Sequence, residues 1–428
     1  MPSEAVVLHN ARLIDGTGGT PVVDGGVVIE GSQLAWVGPF SALPEPCGSA
    51  RRVDLAGRTI CPGFIDTHVH FALPGQSQSI FANLRHTPSY RVLDTLERLR
   101  VTLYNGVTTA RDLMGLDAGF RQAIAERKIP GPRLLVAIAM LSQQSGHADF
   151  TVAGGVDAYA LGVAQPGAPA NLVDSVDQMR VRVRELVRAG ADCVKLASSG
   201  GVSSPHDQPD WLGLRPEMIA AAVQEAQAYG GLPVAVHAIG RPGIEAAVHA
   251  GVASIEHGYA LDDQLRKEMV HRGQYLVPTL LETAADLHSA GPEARAKSVH
   301  WHKVAQESFA RSVQAGVSVA MGTDSGLTMD HGNNLKELGL MVRIGDMSPM
   351  DAIVAATSNA AKLCGIDHLT GTVTAGKAAD LVITDVDPLV DIDALGDPSH
   401  IHAVVKDGRL AIDRAQVFGP DVLPALTE

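Results

Sequence analysis

The chain has 428 residues, 46% hydrophobic and 19% charged, with 44 glycines and 24 prolines, a composition suited to a globular enzyme with a large core. Its 47 acidic against 34 basic residues leave a formal net charge of −13, and no lysine/arginine run offsets it, which argues against nucleic-acid or anionic-membrane partners. No window approaches the ~18 apolar residues of a membrane helix, the opening residues lack the regions of a signal peptide, and Cys47, Cys61, Cys193 and Cys364 form no C-x-x-C. A cytoplasmic protein with reduced thiols is expected.

Residues 1–58 alternate valine-rich strands with Gly/Asp turns (VVLHNARLIDG, GGVVIEGSQLAWVG), and 367–428 does the same (ADLVITD, IHAVVKDGRLAI). Neither piece is long enough for a stable core alone, so one composite β-sandwich built from both ends is expected. Between them, residues 59–366 alternate strand and helix. The strand candidates are 59–68, 106–112, 133–140, 192–200, 233–240, 253–258, 275–280 and 317–325. Helical periodicity fills the intervals, as in 173–190, 215–231 and 294–316. Eight strands in β/α alternation predict an α/β fold, a (β/α)8 TIM barrel.

In such barrels reactive groups gather at the C-terminal ends of the strands. Strand one ends with His68 and His70, whose i, i+2 spacing puts both imidazoles on one face. Strand four carries Lys195, strand five ends near His237, strand six at His257, and strand eight at Asp324. Each has an ordinary reading alone: a structural histidine pair, a hydrogen-bonded core histidine, a buried lysine with a carboxylate partner, a turn-capping aspartate. A buried ionisable group without a partner is costly, so their common position suggests that they partner one another. His300 and His302 share the i, i+2 spacing but fall in a predicted helix, where they project roughly 200° apart and cannot chelate one ion. His249, His271 and His288 fall in helical or loop segments and receive no role.

PGFIDTHVH, VKLASSGG, VHAIG, IEHG and MGTDSG, with the opening NARLIDG and the closing GKAADLVITD, resemble the metal-dependent hydrolases of the amidohydrolase superfamily over essentially the whole chain. VKLASSGGVSSPHDQPDW, GHAD and HGNNLKEL are similar to a branch containing aminoacyl-proline and aminoacyl-Lys/Arg dipeptidases and ochratoxin-cleaving amidohydrolases. Imidazolonepropionase-like enzymes are more distant and typically lack the bridging lysine. The resemblance implies two divalent ions, Zn²⁺ by ligand type. His68, His70 and Asp324 would hold one and His237 and His257 the other. Lys195, carboxylated by CO₂ to a carbamate, would bridge them, and Asp324 would shuttle the proton.

His147 would polarise the carbonyl or bind a substrate carboxylate. Arg111, Gly201, Val202, Tyr90 and Asn333 are further substrate-binding candidates, with Glu337 beside Asn333 and Trp211 as an apolar wall. The implied reaction is hydrolysis of a small-molecule amide or dipeptide to release a C-terminal amino acid. The acyl side is left open between Xaa-Pro dipeptides and bulky N-acyl amino acids such as ochratoxin A. Relatives in the branch form homo-oligomers, octamers among them. A lactonase or phosphotriesterase activity is an enzymatic alternative, and a non-catalytic homologue would have lost ligands that this chain keeps.

Overall fold

The computed structural model describes residues 5–44, 50–75, 80–202, 204, 207–284, 292–327, 329–419 and 422–427. Cys47 and His288 lie outside the described residues. Parallel strands β6 (Phe64–Val69), β7 (Val107–Asp112) and β8 (Arg133–Val136) form one run. Strands β9 (Met140–Leu141), β10 (Val194–Ala197), β11 (Val234–Ala238), β12 (Ser254–His257), β13 (Tyr275–Val277) and β14 (Ser318–Val319) form the other, also parallel. β8 and β9 are two segments of the third strand, broken where Ile138 takes φ +68°. The ring closes between the eighth and first strands, where Thr67 N donates to Met321 O (2.9 Å), Asp324 N to His68 O (2.8 Å) and His70 N to Ser325 O (2.9 Å). This is the eight-stranded barrel expected from the strand–helix alternation.

The strands read as continuous apolar runs because both faces are covered, helices outside and side chains within. The helix Val176–Arg188 shows how the outer ring forms. Ser175 caps it by accepting from Gln178 N at 3.2 Å. Met179, Val183 and Leu186 recur at helical spacing and are buried against the barrel.

The second unit is a mixed sheet from both chain ends. It comprises β1 (Val6–Leu13), β2 (Val22–Glu30), β3 (Gln33–Pro39), β4 (Arg51–Asp54), β5 (Thr59–Pro62), β15 (Leu381–Thr384), β16 (Ile401–Lys406) and β17 (Arg409–Asp413). Its order is β17-β16-β15-β5-β1-β2-β3, with β4 on β1. Leu8, Val27, Val53, Ile60, Leu381 and Val405 share its separate core. The segment 59–68, read as one strand, is two: β5 pairs with β1 and β15 in this sheet, while β6 opens the barrel. The units are pinned together by Arg133 on β8, which reaches Asp380 (2.6 Å) and Asp407.

Candidate active site

The C-terminal strand ends carry a buried cluster. His68 and His70, alternate residues leaving β6, are within 2% of full burial; Lys195, His237, His257 and Asp324 are 1–7% exposed. One nitrogen each of His68 and His257 and one oxygen of Asp324 lie within 4.8 Å of one another. His70 Nε2 is 3.0 Å and His68 Nε2 3.3 Å from Asp324 Oδ1. Lys195 Nζ sits 3.4 Å from His68 Nε2. The His237 ring is 4.6 Å from that of His257, and its Nε2 is 3.1 Å from Gly200 O. All six residues assigned to metal binding are therefore brought together. The tightest set joins His68, His257 and Asp324, across the division of ligands between two ions expected above.

Backbone conformation helps to aim these groups. His257 and Asp324 have φ of +71° and +58°, values that non-glycine residues rarely adopt. The turn lets His257 reach the cluster although its neighbour Glu256 also points inward. Gly322 is required by close approach: a Cβ there would sit 2.4 Å from Val277 Cγ1 and 2.8 Å from His68 Cβ.

Electrostatics fit cation binding. Burial holds His68 and His237 well below the ordinary histidine range and His257 down to about 4, so all three are neutral donors. Burial also pushes the Lys195 amine down to about 8. Burial opposes ionisation of Asp324, but His68 and His70 outweigh it and keep the carboxyl well below its usual range. His70 Nδ1 is buried yet forms no hydrogen bond among the described residues. Neutral imidazoles, a carboxylate and a polar atom left without a partner suit a divalent transition ion.

His147 also reaches the site. Its ring stacks on His237 at 3.9 Å, and its Nδ1 lies 3.3 Å from Ser204 Oγ. Gly201 lies against this ring, so close that a Cβ would come 2.1 Å from His147 Cε1; its N–H donates to Asp207 Oδ1 at 3.0 Å. Val202 packs with Ile239, Tyr259, Trp301 and Val304 beside the mouth. The other substrate-binding candidates stand elsewhere. Arg111 is fully buried within the barrel, donating to Thr67 O (2.6 Å) and pairing with Glu256 (3.0 Å). Tyr90 is half exposed and stacked on His86, and Trp211 is exposed. Asn333 turns back to Asp330 O at 3.5 Å, while its neighbour Asn334 donates to Asp66 Oδ2 at 2.7 Å. His300 and His302 lie on the helix Pro292–Gln314, where His302 bonds Ser298 Oγ at 3.1 Å.

Sequence reasoning gave no role to three groups around the cluster. Glu256 Oε2 is 2.8 Å from His68 Nδ1. Thr279 Oγ1 is 2.8 Å from His257 Nδ1. Asp66 accepts from His68 N (3.0 Å) and Thr323 Oγ1 (2.6 Å). The signal for Glu256 and Asp66 was their place beside histidines in IEHG and DTHVH; Thr279 left none.

A parallel barrel with nitrogen and carboxylate donors at its C-terminal mouth fits the class of metal-dependent barrel hydrolases. The match to the Amidohydrolase family model over residues 59–411 makes it specific: the chain belongs to this family, whose members typically depend on metal. It is 30% identical to ochratoxinase from Aspergillus niger over 95% of this chain and 87% of that protein. The crystal structure of A. niger ochratoxinase superposes with a TM-score of 0.87 at 30% identity, covering 99% of each chain. A Xaa-Pro dipeptidase crystallised with methionine in its active site gives 0.85 at 31% identity, covering 95% of this chain and 99% of the other. An imidazolonepropionase from Mycolicibacterium smegmatis is 28% identical over 90% of this chain and 87% of that protein. The chain is thus a hydrolase acting on C–N bonds.

Proposed function

We propose that this hydrolase uses two divalent ions, zinc by ligand type, to cleave the amide of an N-acyl or N-aminoacyl amino acid and release the C-terminal amino acid. The convergence of His68, His70, Lys195, His237, His257 and Asp324 from five strands carries the reading. His68, His70 and Asp324 would hold one ion and His237 and His257 the other. Among the described residues, Lys195 Nζ has an imidazole, not a carboxylate, at hydrogen-bond distance. Its free amine would add to the carbon of CO₂ and lose one proton, giving a carbamate whose single negative charge, shared by two oxygens, would supply oxygen donors for the ions. When bound, the ions supply Lewis acidity toward the scissile carbonyl and bring the pKa of water from ~15.7 to about 7. Asp324, ionised beside His68 and His70, takes the proton of the attacking water and delivers it to the departing amine as the C–N bond breaks. His147, stacked on His237, faces the same space and would orient the carbonyl or the carboxylate of the substrate.

Two of the relatives, ochratoxinase and a Xaa-Pro dipeptidase, support an amide with an amino acid on the leaving side. Among the described residues no helix is long and apolar enough to cross a membrane, and Cys61, Cys193 and Cys364 are buried free thiols. These support a cytoplasmic setting, and the family resemblance supports a homo-oligomer.

The test is metal analysis of the purified chain together with amino-acid release from Xaa-Pro dipeptides, N-acyl phenylalanines and ochratoxin A. Two ions per chain and turnover of at least one substrate type are expected. Lys195→Ala is expected to lose metal and activity and to regain both with a short carboxylic acid. Two bound ions and full activity in the unsupplemented variant would refute the bridging role, and inactivity of the parent on all substrates would refute the substrate class.

A further inference from the structure

Beneath the ligand cluster lies a buried ion pair that the proposed reaction does not use. Arg111 on β7 and Glu256 on β12 face each other across the barrel interior, both fully buried, with Nη2 3.0 Å from Oε1. Arg111 is fixed from a second side, since its Nε donates to Thr67 O at 2.6 Å. Glu256 Oε1 also receives Ser254 Oγ from its own strand. One carboxylate oxygen is therefore fully engaged, and the other, Oε2, is turned toward His68, 2.8 Å from Nδ1.

Both of those facing atoms are buried and lack an aligned hydrogen bond, although they are at hydrogen-bond distance. The two nitrogens of a neutral imidazole are not equivalent: the one that carries the proton cannot donate a lone pair to an ion. A carboxylate held against Nδ1 retains the proton there and leaves Nε2 as the donor atom. Nε2 is the nitrogen that faces Lys195 Nζ and Asp324 Oδ1.

We infer that Glu256, braced by Arg111 and Ser254, is a positioning residue that fixes the tautomer and ring orientation of His68 for metal binding. The inference rests on the metal centre proposed above. It also assigns Arg111, inaccessible to substrate, to holding the brace in place. Neutralising the pair's own charges is a different role, and the two can be separated experimentally.

The experiment strips the full-length chain of metal and titrates it with Zn²⁺ against a competing chromophoric chelator. The parent is compared with Glu256→Gln and with the paired change Arg111→Met/Glu256→Leu, which removes both charges and leaves no buried ion unpaired. Loss of a group that orients a metal-bound histidine weakens metal affinity by roughly 10–100-fold. A loss of that size is expected in the paired variant, with circular dichroism and thermal midpoint close to the parent's. A smaller loss is expected in Glu256→Gln, which keeps an acceptor oxygen. Imidazole nitrogen shifts of the metal-free protein read the tautomer directly, and proton occupancy at His68 Nδ1 should fall in the paired variant. Parental zinc affinity in a folded paired variant would overturn the inference, as would an unchanged His68 tautomer. Failure of the parent itself to bind zinc would overturn the metal centre, and this inference with it.

Discussion

Glu337 offers a test of the buried electrostatics that is independent of catalysis. Its carboxylate is completely buried and accepts from Leu280 N (2.7 Å) and Leu281 N (2.8 Å), tying the segment after β13 to the helix Lys336–Gly345. Burial, aided by the nearby Asp66, outweighs those two donors and pushes the group from 4.5 to about 8. Glu337 is then protonated in the fold while its unfolded counterpart is already ionised above about 4.5. The stability it contributes is full below pH 4.5 and is lost as pH rises through 8, at about 1.4 kcal/mol per pH unit. Glu337→Gln cannot ionise and is free of this loss. The parent's stability relative to the variant should therefore fall by about 3 kcal/mol between pH 5 and pH 7.5. Urea unfolding of both proteins at several pH values reads this difference, and titration of groups that do not interact with Glu337 cancels in the comparison. Parallel curves, or a parental advantage that grows with pH, would refute the assignment.

Gly322→Ala should cost roughly 1–3 kcal/mol of stability as an overpacked core change and also lower zinc stoichiometry, because the added Cβ meets His68 as well as Val277. Unfolding midpoints with metal analysis check this, and a variant with parental metal content would show that His68 does not need the approach. Chelation should lower the thermal midpoint and zinc should restore it, since zinc at ~1,000 times its Kd stabilises the fold by about 4 kcal/mol. A midpoint indifferent to verified metal removal would contradict a site that binds only the folded chain.

The ligand cluster was legible in the sequence because strand geometry is short-ranged. The i, i+2 pair His68/His70 and the single ionisable residues of the apolar strands β10 and β11 need only strand period and barrel polarity to be placed. The surroundings depend on distant contacts. Arg111 looks like a residue of the mouth by its place near the end of β7, yet Glu256 across the barrel draws its guanidinium inward. Strict alternation sends Glu256 and His257 to opposite faces, and the positive φ of His257 removes that alternation. Asn334 rather than Asn333 reaches Asp66 because the register of the 331–335 loop is set by its bonds to β6 and the eighth strand, which no local pattern encodes. The eighth strand itself ends at Val319, well before Asp324, where the hydrogen bonds pass to the main chain of His68.

Under the proposed function, chemistry and specificity fall to different parts of this fold. Lys195, His237 and His257 stand on strands whose backbone is fixed on both sides by parallel pairing. The segment after Lys195 is held otherwise. Asp207 takes the Gly201 amide and Ser204, and Lys297, from the helix Pro292–Gln314, donates to the carbonyls of Ser204 (2.9 Å) and Asp207 (3.2 Å). Val202 then packs against the cluster of Ile239, Tyr259 and Ala305, the last of these from that helix. The same loop also meets the ligand cluster, since Gly200 O lies 3.1 Å from His237 Nε2. Near-equal similarity to an ochratoxinase and to a Xaa-Pro dipeptidase, at 30% and 31% identity, is what such a division permits. Under the proposed function, this loop and helix are where a bulky acyl group and a small aminoacyl group would be told apart.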